Sequence, residues 1–504
     1  MVESNVTTLD QYAIYQKIMA AIDTSLTTHA SNEFSGTSKM WREIFSRRNS
    51  DSGFDSIFRL LDQNNDVTLG VANLGDPKFQ TDYVRLYETI HTQKDICRIT
   101  PSDTGCPSLI QVHGRPANLA IMQNETRIKQ LFDYDEFPKR PIRVLEIGAG
   151  YGGMANLLIK RGAVISYTIV DLPDNLALSA YYLTMENPDF TAHYCAQEEF
   201  TNDGNLNFFT PGEISKIGID TYDLVINCDS LGEMPADVCR NYVDRIYHAL
   251  LPGGLFYSKN GVQRNEGTVE NLSQFKFDQF ELLSVQPSPL STGLFDDHST
   301  VLLLKKNVAK HTVDWNQLDI LSWLLKFGLG PELDRLCKDL GAGTLGADQI
   351  LFLKQMKSLF DNSQTSLIEN KFEYDDKDLV AAAMYMVGMH QFVFHDHEEA
   401  TSALEKYIEI GKSPVAVGQA LIFLSGNRHD VLKTNNFKHE LTRFFIRTNR
   451  LPISTEKEAK DRFFNAAVKR VRNRFLGLLP GQKTVIKEPI LITAFRRIRT
   501  RFLG

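Results

Sequence analysis

The chain has 504 residues, 42% of them hydrophobic, and a formal net charge of −7, which suits a globular protein of two or three domains. No N-terminal stretch has the basic-then-apolar layout of a signal peptide, and no run of about 18 apolar residues could span a bilayer. We therefore expect a cytoplasmic protein whose six scattered cysteines are free thiols rather than a disulfide framework.

The first 138 residues are predicted to be mostly helical. Helix-like apolar spacing occurs over residues 9–22, 39–45, 54–61 and 79–91, with polar breaks between them. A helical segment before an α/β domain either forms a cap over an acceptor site or only covers an edge of the sheet. The sequence leaves both interpretations open.

Residues 143–171 carry the strongest signal in the chain, RVLEIGAGYGGMANLLIKRGAVISYTIVD. The pattern predicts a buried strand, a glycine loop, a helix that begins at about Gly152, and a second strand that ends at Asp171. Glycines in such a turn let the backbone approach a ligand closely, and the free N–H groups of the helix face the same crevice. Asp171 is placed to accept hydrogen bonds from a ribose diol.

The glycine spacing alone does not choose between adenosine ligands, because Gly148, Gly150 and Gly153 also satisfy the dinucleotide pattern G-x-G-x-x-G. A carboxylate beside the loop, here Glu146, repels a pyrophosphate but suits a ligand with an amino group and a sulfonium. With Gly152, the loop resembles the E-x-G-x-G-x-G signature of S-adenosylmethionine (SAM) dependent methyltransferases. A glycine-rich turn without a ligand is the alternative.

The elements after the loop resemble the second half of a class I methyltransferase. A helix predicted over residues 238–250 is broken by LPGG at 251–254. The last two strand candidates have no helix between them, which resembles the antiparallel hairpin that closes this sheet. The expected fold is α/β and Rossmann-like, with a seven-stranded sheet over residues 139–306. Strand candidates in this half lie at residues 222–227, 255–258, 280–287 and 299–305.

Four short motifs carry a finer resemblance: GYGG at 150–153, TIVDLP at 168–173, AYYL at 180–183 and NCDSLGEM at 227–234. They resemble the sugar O-methyltransferases of bacterial surface-polysaccharide clusters, which implies SAM as cofactor and a sugar or glycan as acceptor. Gln197 and Glu198 are assigned to the adenine edge from their position after the presumed third strand. The other expected cofactor-binding residues are Glu146, Gly148, Gly150, Gly152, Asp171, Leu172 and Asn227.

Methyl transfer to a hydroxyl requires removal of the acceptor proton, whereas the leaving thioether is neutral and needs no acid. His298, just before the last strand, suits the role of base because histidine titrates near neutrality; the alternative is an ordinary loop histidine. Asp229 and Glu233, after the fourth strand, are the other catalytic candidates. They also suit hydrogen bonds to sugar hydroxyls or to the donor, or helix capping. No metal site is predicted.

After the sheet the apolar spacing is helical throughout, which predicts an all-helical domain over residues 307–455. His390, His395 and His397 lie close together in the sequence but fit no standard metal site. The helices are expected at residues 313–327, 331–340, 347–360, 378–394, 398–410 and 414–423.

Residues 456–504 form a basic tail with an internal repeat. KRVRNRFLG at 469–477 recurs as RRIRTRFLG at 496–504, and residues 462–504 hold eleven Lys or Arg against one acid. On a helix each copy has an apolar face and a basic face, which suits an anionic membrane surface or an acidic protein surface, including a neighbouring subunit of a homo-oligomer. A solvated tail packed on the protein's own acidic body is the alternative. No nucleic-acid-binding module is visible, so no nucleic acid is expected as partner.

These features predict a SAM-dependent O-methyltransferase that methylates a sugar hydroxyl in glycan or polysaccharide biosynthesis, in the cytoplasm or at the inner face of the membrane. Two alternatives stay open. One is a methyltransferase for a lipid or a secondary metabolite. The other is a non-catalytic scaffold that retains the SAM fold and recruits partners through its helical domain and tail.

Overall fold

The chain forms two compact units, one from residues 1–291 and 297–319 and the other from residues 292–296 and 320–504. Within the described part of the chain, no helix is both long enough and apolar enough to cross a membrane. The computed structural model describes residues 8–29, 33–36, 42, 59–61, 84, 87–88, 91, 103–112, 115–194, 205–261, 272–275, 277–287, 299–307, 315–325, 329–361, 374–394, 397–413, 416 and 420.

Among the described residues, two helices and a short strand pair precede the sheet: α1 (Thr8–Thr28), β1 (Ile110–Val112), β2 (Arg115–Ala117) and α2 (Leu119–Phe132). The helix predicted at 9–22 is confirmed and is longer. The antiparallel pair β1–β2 was not predicted, because strands of three residues are too short to show alternation. Asn118 starts α2, since its Oδ1 accepts hydrogen bonds from the N–H groups of Ala120 (2.9 Å) and Ile121 (3.3 Å). Residues 39–91 lie largely outside the described residues.

One eight-stranded sheet forms the centre of the first unit. In space its strands follow the order β5-β6-β4-β3-β7-β8-β10-β9, and β10 runs antiparallel to both of its neighbours. The Rossmann-like fold and its antiparallel closing hairpin are thus confirmed. The strands are β3 (Ile142–Ile147), β4 (Val164–Val170), β5 (Thr191–Tyr194), β6 (Asn205–Phe209), β7 (Tyr222–Cys228), β8 (Leu250–Asn260), β9 (Phe280–Pro287) and β10 (Thr300–Lys306).

The sheet has eight strands instead of the predicted seven, because β5 and β6 occupy a stretch for which one strand was expected. β5 lies at the edge of the sheet and pairs with β6, whereas β6 pairs with both β5 and β4. The third strand counted outward from β3 is therefore β6. The strand that ends at Tyr194 is an additional edge strand.

The described helices that pack on the sheet include α3 (Gly153–Lys160), α4 (Pro173–Glu186) and α5 (Ala236–Ala249). Consecutive residues such as Val144 and Leu145, or Leu224 and Val225, are fully buried although their side chains point to opposite faces. Both faces of the central strands are therefore covered. This explains why apolar runs, and not alternation, mark these strands in the sequence.

β8 begins earlier than predicted. Leu250 directly follows α5 and pairs with Tyr222, whereas the sequence predicted that LPGG would separate the helix from a strand at Leu255. The register between β7 and β8 then shifts, so that Leu224 pairs with Leu255. Gly253, exposed and at φ +77°, lies in this irregular stretch, which therefore belongs to the strand as a bulge.

The helices predicted between residues 313 and 410 are confirmed, whereas residues 421–455 of the predicted helical domain and the basic tail lie outside the described residues. Glu332 connects two of them: its Oε1 accepts hydrogen bonds from the hydroxyl of Tyr407 (3.0 Å) and from the N–H groups of Lys412 (2.6 Å) and Ser413 (2.7 Å). Of the predicted helix 414–423, only residues 416 and 420 are described. The helices are α6 (Trp315–Leu325), α7 (Gly330–Gly341), α8 (Ala347–Asp361), α9 (Lys377–Phe394) and α10 (His397–Ile410).

Candidate active site

The glycine loop lies at the point where the strand order of the sheet reverses. β4 and β7 flank β3 on opposite sides, so the loops after β3 and β7 open a crevice at the carboxyl edge of the sheet. Gly148, Gly150 and Gly152 have φ values of +73°, +59° and +87°. This left-handed backbone strains residues with a side chain, which explains the run of glycines.

Gly148 and Gly150 differ in what surrounds them. A Cβ atom at Gly148 would lie 2.2 Å from the Oγ atom of Ser230, so this glycine allows the ends of β3 and β7 to pack closely. A Cβ atom at Gly150 would meet no atom within 4 Å. The space beside Gly150 is therefore open to a ligand.

Asp171 holds the loop from the end of β4. Its Oδ2 accepts a hydrogen bond from the N–H of Gly150 (3.0 Å), and its Oδ1 accepts one from the N–H of Leu172 (2.7 Å). The structure thus brings together three residues that the sequence assigned to the cofactor. A carboxylate at the end of the strand next to the glycine loop is the arrangement that binds a ribose diol in nucleotide-binding folds.

Glu146 lies beneath the loop, and only 3% of the residue is exposed. Its Oε2 accepts a hydrogen bond from the hydroxyl of Tyr167 (2.7 Å). Burial raises the pKa of the Glu146 carboxyl to about 7; the charge of Asp171 raises this pKa further, whereas the Tyr167 hydrogen bond and the charge of Arg127 lower it. A bound cation would favour the charged carboxylate.

The raised pKa of Glu146 makes stability depend on pH. The folded state favours the protonated carboxyl of Glu146. The contribution of this group to the free energy of unfolding is therefore fully present below pH 4.5 and is lost as pH rises through about 7. The unfolding free energy of Glu146→Gln minus that of the wild type should rise by about 2–3 kcal/mol from pH 5 to pH 8. Urea denaturation at both pH values measures this, with the exposed Glu136→Gln as control. Equal pH dependence of Glu146→Gln and the wild type would contradict the prediction.

Asn227 joins the ends of β7, β3 and β8. It is fully buried. Its Nδ2 donates to the carbonyl of Ile147 (2.7 Å), and its Oδ1 accepts hydrogen bonds from the N–H of Leu231 (3.1 Å) and the amide of Asn260 (2.9 Å). The side chain therefore fixes the crevice, and its predicted contact with the cofactor stays a prediction.

Asp229 follows β7 with a left-handed backbone, φ +65°, which is unusual for a residue other than glycine. Its carboxylate lies between two cations. Arg127 donates to Oδ2 (3.1 Å), and the Nζ of Lys259 lies 2.7 Å from Oδ1 and 2.8 Å from Oδ2. Ser299 donates to Oδ1 (2.9 Å). We call Arg127, Asp229, Lys259 and Ser299 the Asp229 cluster.

Sequence reasoning identified Asp229 but missed its partners. Lys259 is 1% exposed although it is a lysine, and buried lysines require a partner. Its place directly after the strand predicted at residues 255–258 was the signal that could have found it. Arg127, by contrast, occupies a helix position at which the sequence carries no such signal.

Asp229 does not cap a helix with its side chain, because its carboxylate accepts hydrogen bonds from Arg127, Lys259 and Ser299. Ser230 precedes a short 3-10 helix (Leu231–Glu233), but its Oγ donates to the carbonyl of Ile147 (3.2 Å). Glu233 ends that helix and is partly exposed. The structure thus brings Asp229 and Glu233 to the loop opposite the glycine loop.

Three predicted site residues, Gln197, Glu198 and His298, lie outside the described residues. Gln197 and Glu198 were assigned to the adenine edge as residues that follow the third strand, and this assignment stays a prediction. In chain order they follow β5, the third strand of the sheet, which lies at the edge of the sheet. Among the described residues, no group of three or more His, Cys, Asp or Glu side chains could hold a metal ion.

Solved structures are similar to part of the chain. The PH0226 protein of Pyrococcus horikoshii is 16% identical, with a TM-score of 0.28, over 36% of this chain and 89% of that protein. A 1,6-didemethyltoxoflavin-N1-methyltransferase of Burkholderia thailandensis is 16% identical, with a TM-score of 0.25, over 37% of this chain and 88% of that protein. Likeness at this level carries no information on the acceptor of this chain.

Residues 119–264 match a family model described as a methyltransferase domain. The matched residues begin at α2 and end after β8, so they include the glycine loop, Asp171 and most of the Asp229 cluster. No curated protein matches the chain. The sheet topology, the glycine loop and the family match together identify residues 119–264 as a methyltransferase domain whose methyl donor is S-adenosylmethionine.

Proposed function

We propose that the protein is a SAM-dependent O-methyltransferase that methylates a sugar hydroxyl in glycan or polysaccharide biosynthesis. The observation that carries the proposal is the crevice between the loops after β3 and β7. One side offers the open space beside Gly150, and the other offers the partly exposed Glu233. A carboxylate in that position accepts hydrogen bonds from sugar hydroxyls. The motifs at 168–173 and 227–234, which resemble sugar O-methyltransferases, support the same acceptor.

Bound SAM supplies a methyl group on a positively charged sulfur, which becomes a neutral thioether after transfer. With SAM bound, the acceptor oxygen would displace the thioether at the methyl carbon, so that a C–O bond would replace the C–S bond, and a base of this chain would take the hydroxyl proton. Gly150 and Asp171 position the donor, and the carboxylate form of Glu146 favours its positive charge.

We propose His298 as the base. Its neighbour in the sequence, Ser299, donates a hydrogen bond to Asp229. Asp229 is less suited to proton removal, because its two oxygens already accept four hydrogen bonds and a carboxylate offers about four lone-pair sites. Glu233 is the remaining carboxylate candidate.

Methyl incorporation tests the acceptor class. The full-length protein, incubated with methyl-labelled SAM, is expected to label purified surface glycans or their nucleotide-linked precursors. The same incubation with Gly150→Arg protein serves as the control for background transfer. Label that enters lipid or secondary-metabolite fractions, and no glycan fraction, would assign the enzyme to the alternative acceptor class.

A scaffold without catalysis is the second candidate function. The positive-φ glycines and Asp171 argue against it, because a scaffold has no need for an open, carboxylate-lined donor crevice. Absence of donor binding at millimolar SAM would favour the scaffold.

We also propose that the tail, residues 462–504, attaches the enzyme to an anionic membrane surface at the inner face of the membrane. Eleven Lys or Arg stand against one acid there, and the nine-residue repeat gives two basic amphipathic segments. Each cation near an anionic surface contributes about 1 kcal/mol before entropy losses, screened by salt over about 10 Å.

Co-sedimentation tests the tail. The full-length protein should bind anionic vesicles at low salt and ignore neutral ones, and removal of residues 462–504 should abolish binding. A full-length protein that ignores anionic vesicles at low salt would contradict the proposal. Loss of an oligomer on truncation would then assign the tail to an acidic surface of a neighbouring subunit.

A further inference from the structure

Two side chains of α2 connect the two sides of the crevice. The Nδ2 of Asn124 donates to the hydroxyl of Tyr151, which follows Gly150 in the glycine loop (3.0 Å). The Nη1 of Arg127 donates to the Oδ1 of Asn124 (3.1 Å), and its Nη2 donates to the Oδ2 of Asp229 (3.1 Å). Because residues three apart on a helix lie on one face, α2 presents both side chains to the crevice.

The connection continues beyond Asp229 to the end of β8. The Nζ of Lys259 contacts both carboxylate oxygens of Asp229, and the N–H of Asp229 donates to the carbonyl of Lys259 (2.7 Å). Asn124 is 6% exposed and Lys259 is 1% exposed. Hydrogen bonds at these two buried side chains are stronger than in water and polarise one another, whereas the side chain of Asp229 is 39% exposed.

At the glycine loop, this chain of hydrogen bonds is held in place by α4 and by Asp171. Tyr151 packs edge-on against Tyr182 of α4, with ring centroids 5.3 Å apart and an interplanar angle of 69°. The N–H of the preceding residue, Gly150, is held by Asp171. A ligand that moves or stiffens the loop therefore acts directly on the Tyr151 hydroxyl, and through it on Asn124.

We propose that Asn124 and Arg127 are positioning residues that transmit the occupancy of the donor loop to Asp229 and Lys259 on the acceptor side. SAM binding then orders the acceptor side before the acceptor arrives. The proposal rests on the proposed methyltransferase function, since it requires that SAM binds beside Gly150. It assigns no contact between Arg127 and the reacting atoms.

A double-mutant cycle on SAM affinity tests the connection. Tyr151→Phe removes the hydroxyl at one end, and Asp229→Asn removes the charge at the other while it keeps the shape. In the full-length protein the combined effect on the SAM dissociation constant should differ from the product of the single effects by at least about threefold. In an Arg127→Met background the two effects should simply multiply.

Two further variants distinguish coupling between Tyr151 and Asp229 through Arg127 from a general loss of protein stability. Arg140→Met removes an arginine that pairs with Asp223 near the opposite end of the sheet, and it should leave the coupling intact. Arg127→Lys keeps the charge and should restore part of the coupling. Effects that multiply in the wild-type background, or coupling that survives Arg127→Met, would overturn the proposal.

Hydrogen exchange gives a second measurement if Arg127→Met fails to fold. SAM should slow amide exchange both in the loop, residues 148–153, and in the peptide that contains Asp229. In Asn124→Ala protein, SAM should protect the loop alone. Protection confined to the loop in the wild type would overturn the transmission but leave the proposed function standing, whereas failure of SAM to bind the wild type would overturn both.

Discussion

Gly150→Arg should abolish SAM binding while the protein still folds. A Cβ atom at residue 150 would have no neighbouring atom within 4 Å, so an arginine side chain enters the crevice instead of the core. The left-handed backbone at φ +59° adds strain of about 1–2 kcal/mol. We expect SAM affinity to fall by more than about 1000-fold, which corresponds to about 4 kcal/mol.

Gly162→Arg is the matched control for this variant. Gly162 also has a left-handed backbone, at φ +67°, and a Cβ atom there would also meet nothing within 4 Å. It lies in the turn between α3 and β4, at the opposite end of α3 from the glycine loop. Calorimetry should find SAM binding retained in Gly162→Arg and lost in Gly150→Arg, with similar melting temperatures. Retained binding in Gly150→Arg would place the donor elsewhere.

His298→Ala should lower kcat by about 10²–10⁴-fold with little change in SAM affinity, because removal of a general base affects the transition state and not the donor complex. The wild-type rate should also fall as pH drops through the range in which histidine becomes protonated. Initial-rate measurements with a methyl-accepting glycan, at several pH values, check both statements.

His248→Ala is the control for a histidine that lies away from the crevice. Its side chain is 52% exposed on α5, 3.8 Å from Asp244, and its loss should leave kcat unchanged. Unchanged turnover in His298→Ala would return the role of base to Asp229 or Glu233, or remove the need for a base. Glu233→Gln then distinguishes the first two, because Glu233 has no place in the Asp229 cluster.

The donor side of the site could be predicted because its signals are local in the sequence. The glycines, Glu146 and Asp171 lie in one strand–loop–helix–strand unit, in which the order of elements fixes their relative positions. The Asp229 cluster could not be predicted in the same way. Arg127 lies 102 residues from Asp229 and Lys259 lies 30 residues from it, so only the fold brings them together.

The errors in the sheet have physical causes. One strand was expected in the stretch that holds β5 and β6, because whether a short segment pairs as an additional edge strand depends on its partners and not on its own residues. LPGG contains the residues that break helices, and it does follow the end of α5. A bulge can hold the same residues inside a strand, which the sequence does not reveal.

Calorimetric titration of the full-length protein with SAM and, separately, with NAD decides whether the crevice beside Gly150 is a methyl-donor site. Both ligands carry an adenosine, and the glycine spacing fits both patterns, so Glu146 and the closing hairpin distinguish between them. We expect saturable binding of SAM at one site per chain and no binding of NAD. Tight binding of NAD without binding of SAM would contradict the assignment of the domain.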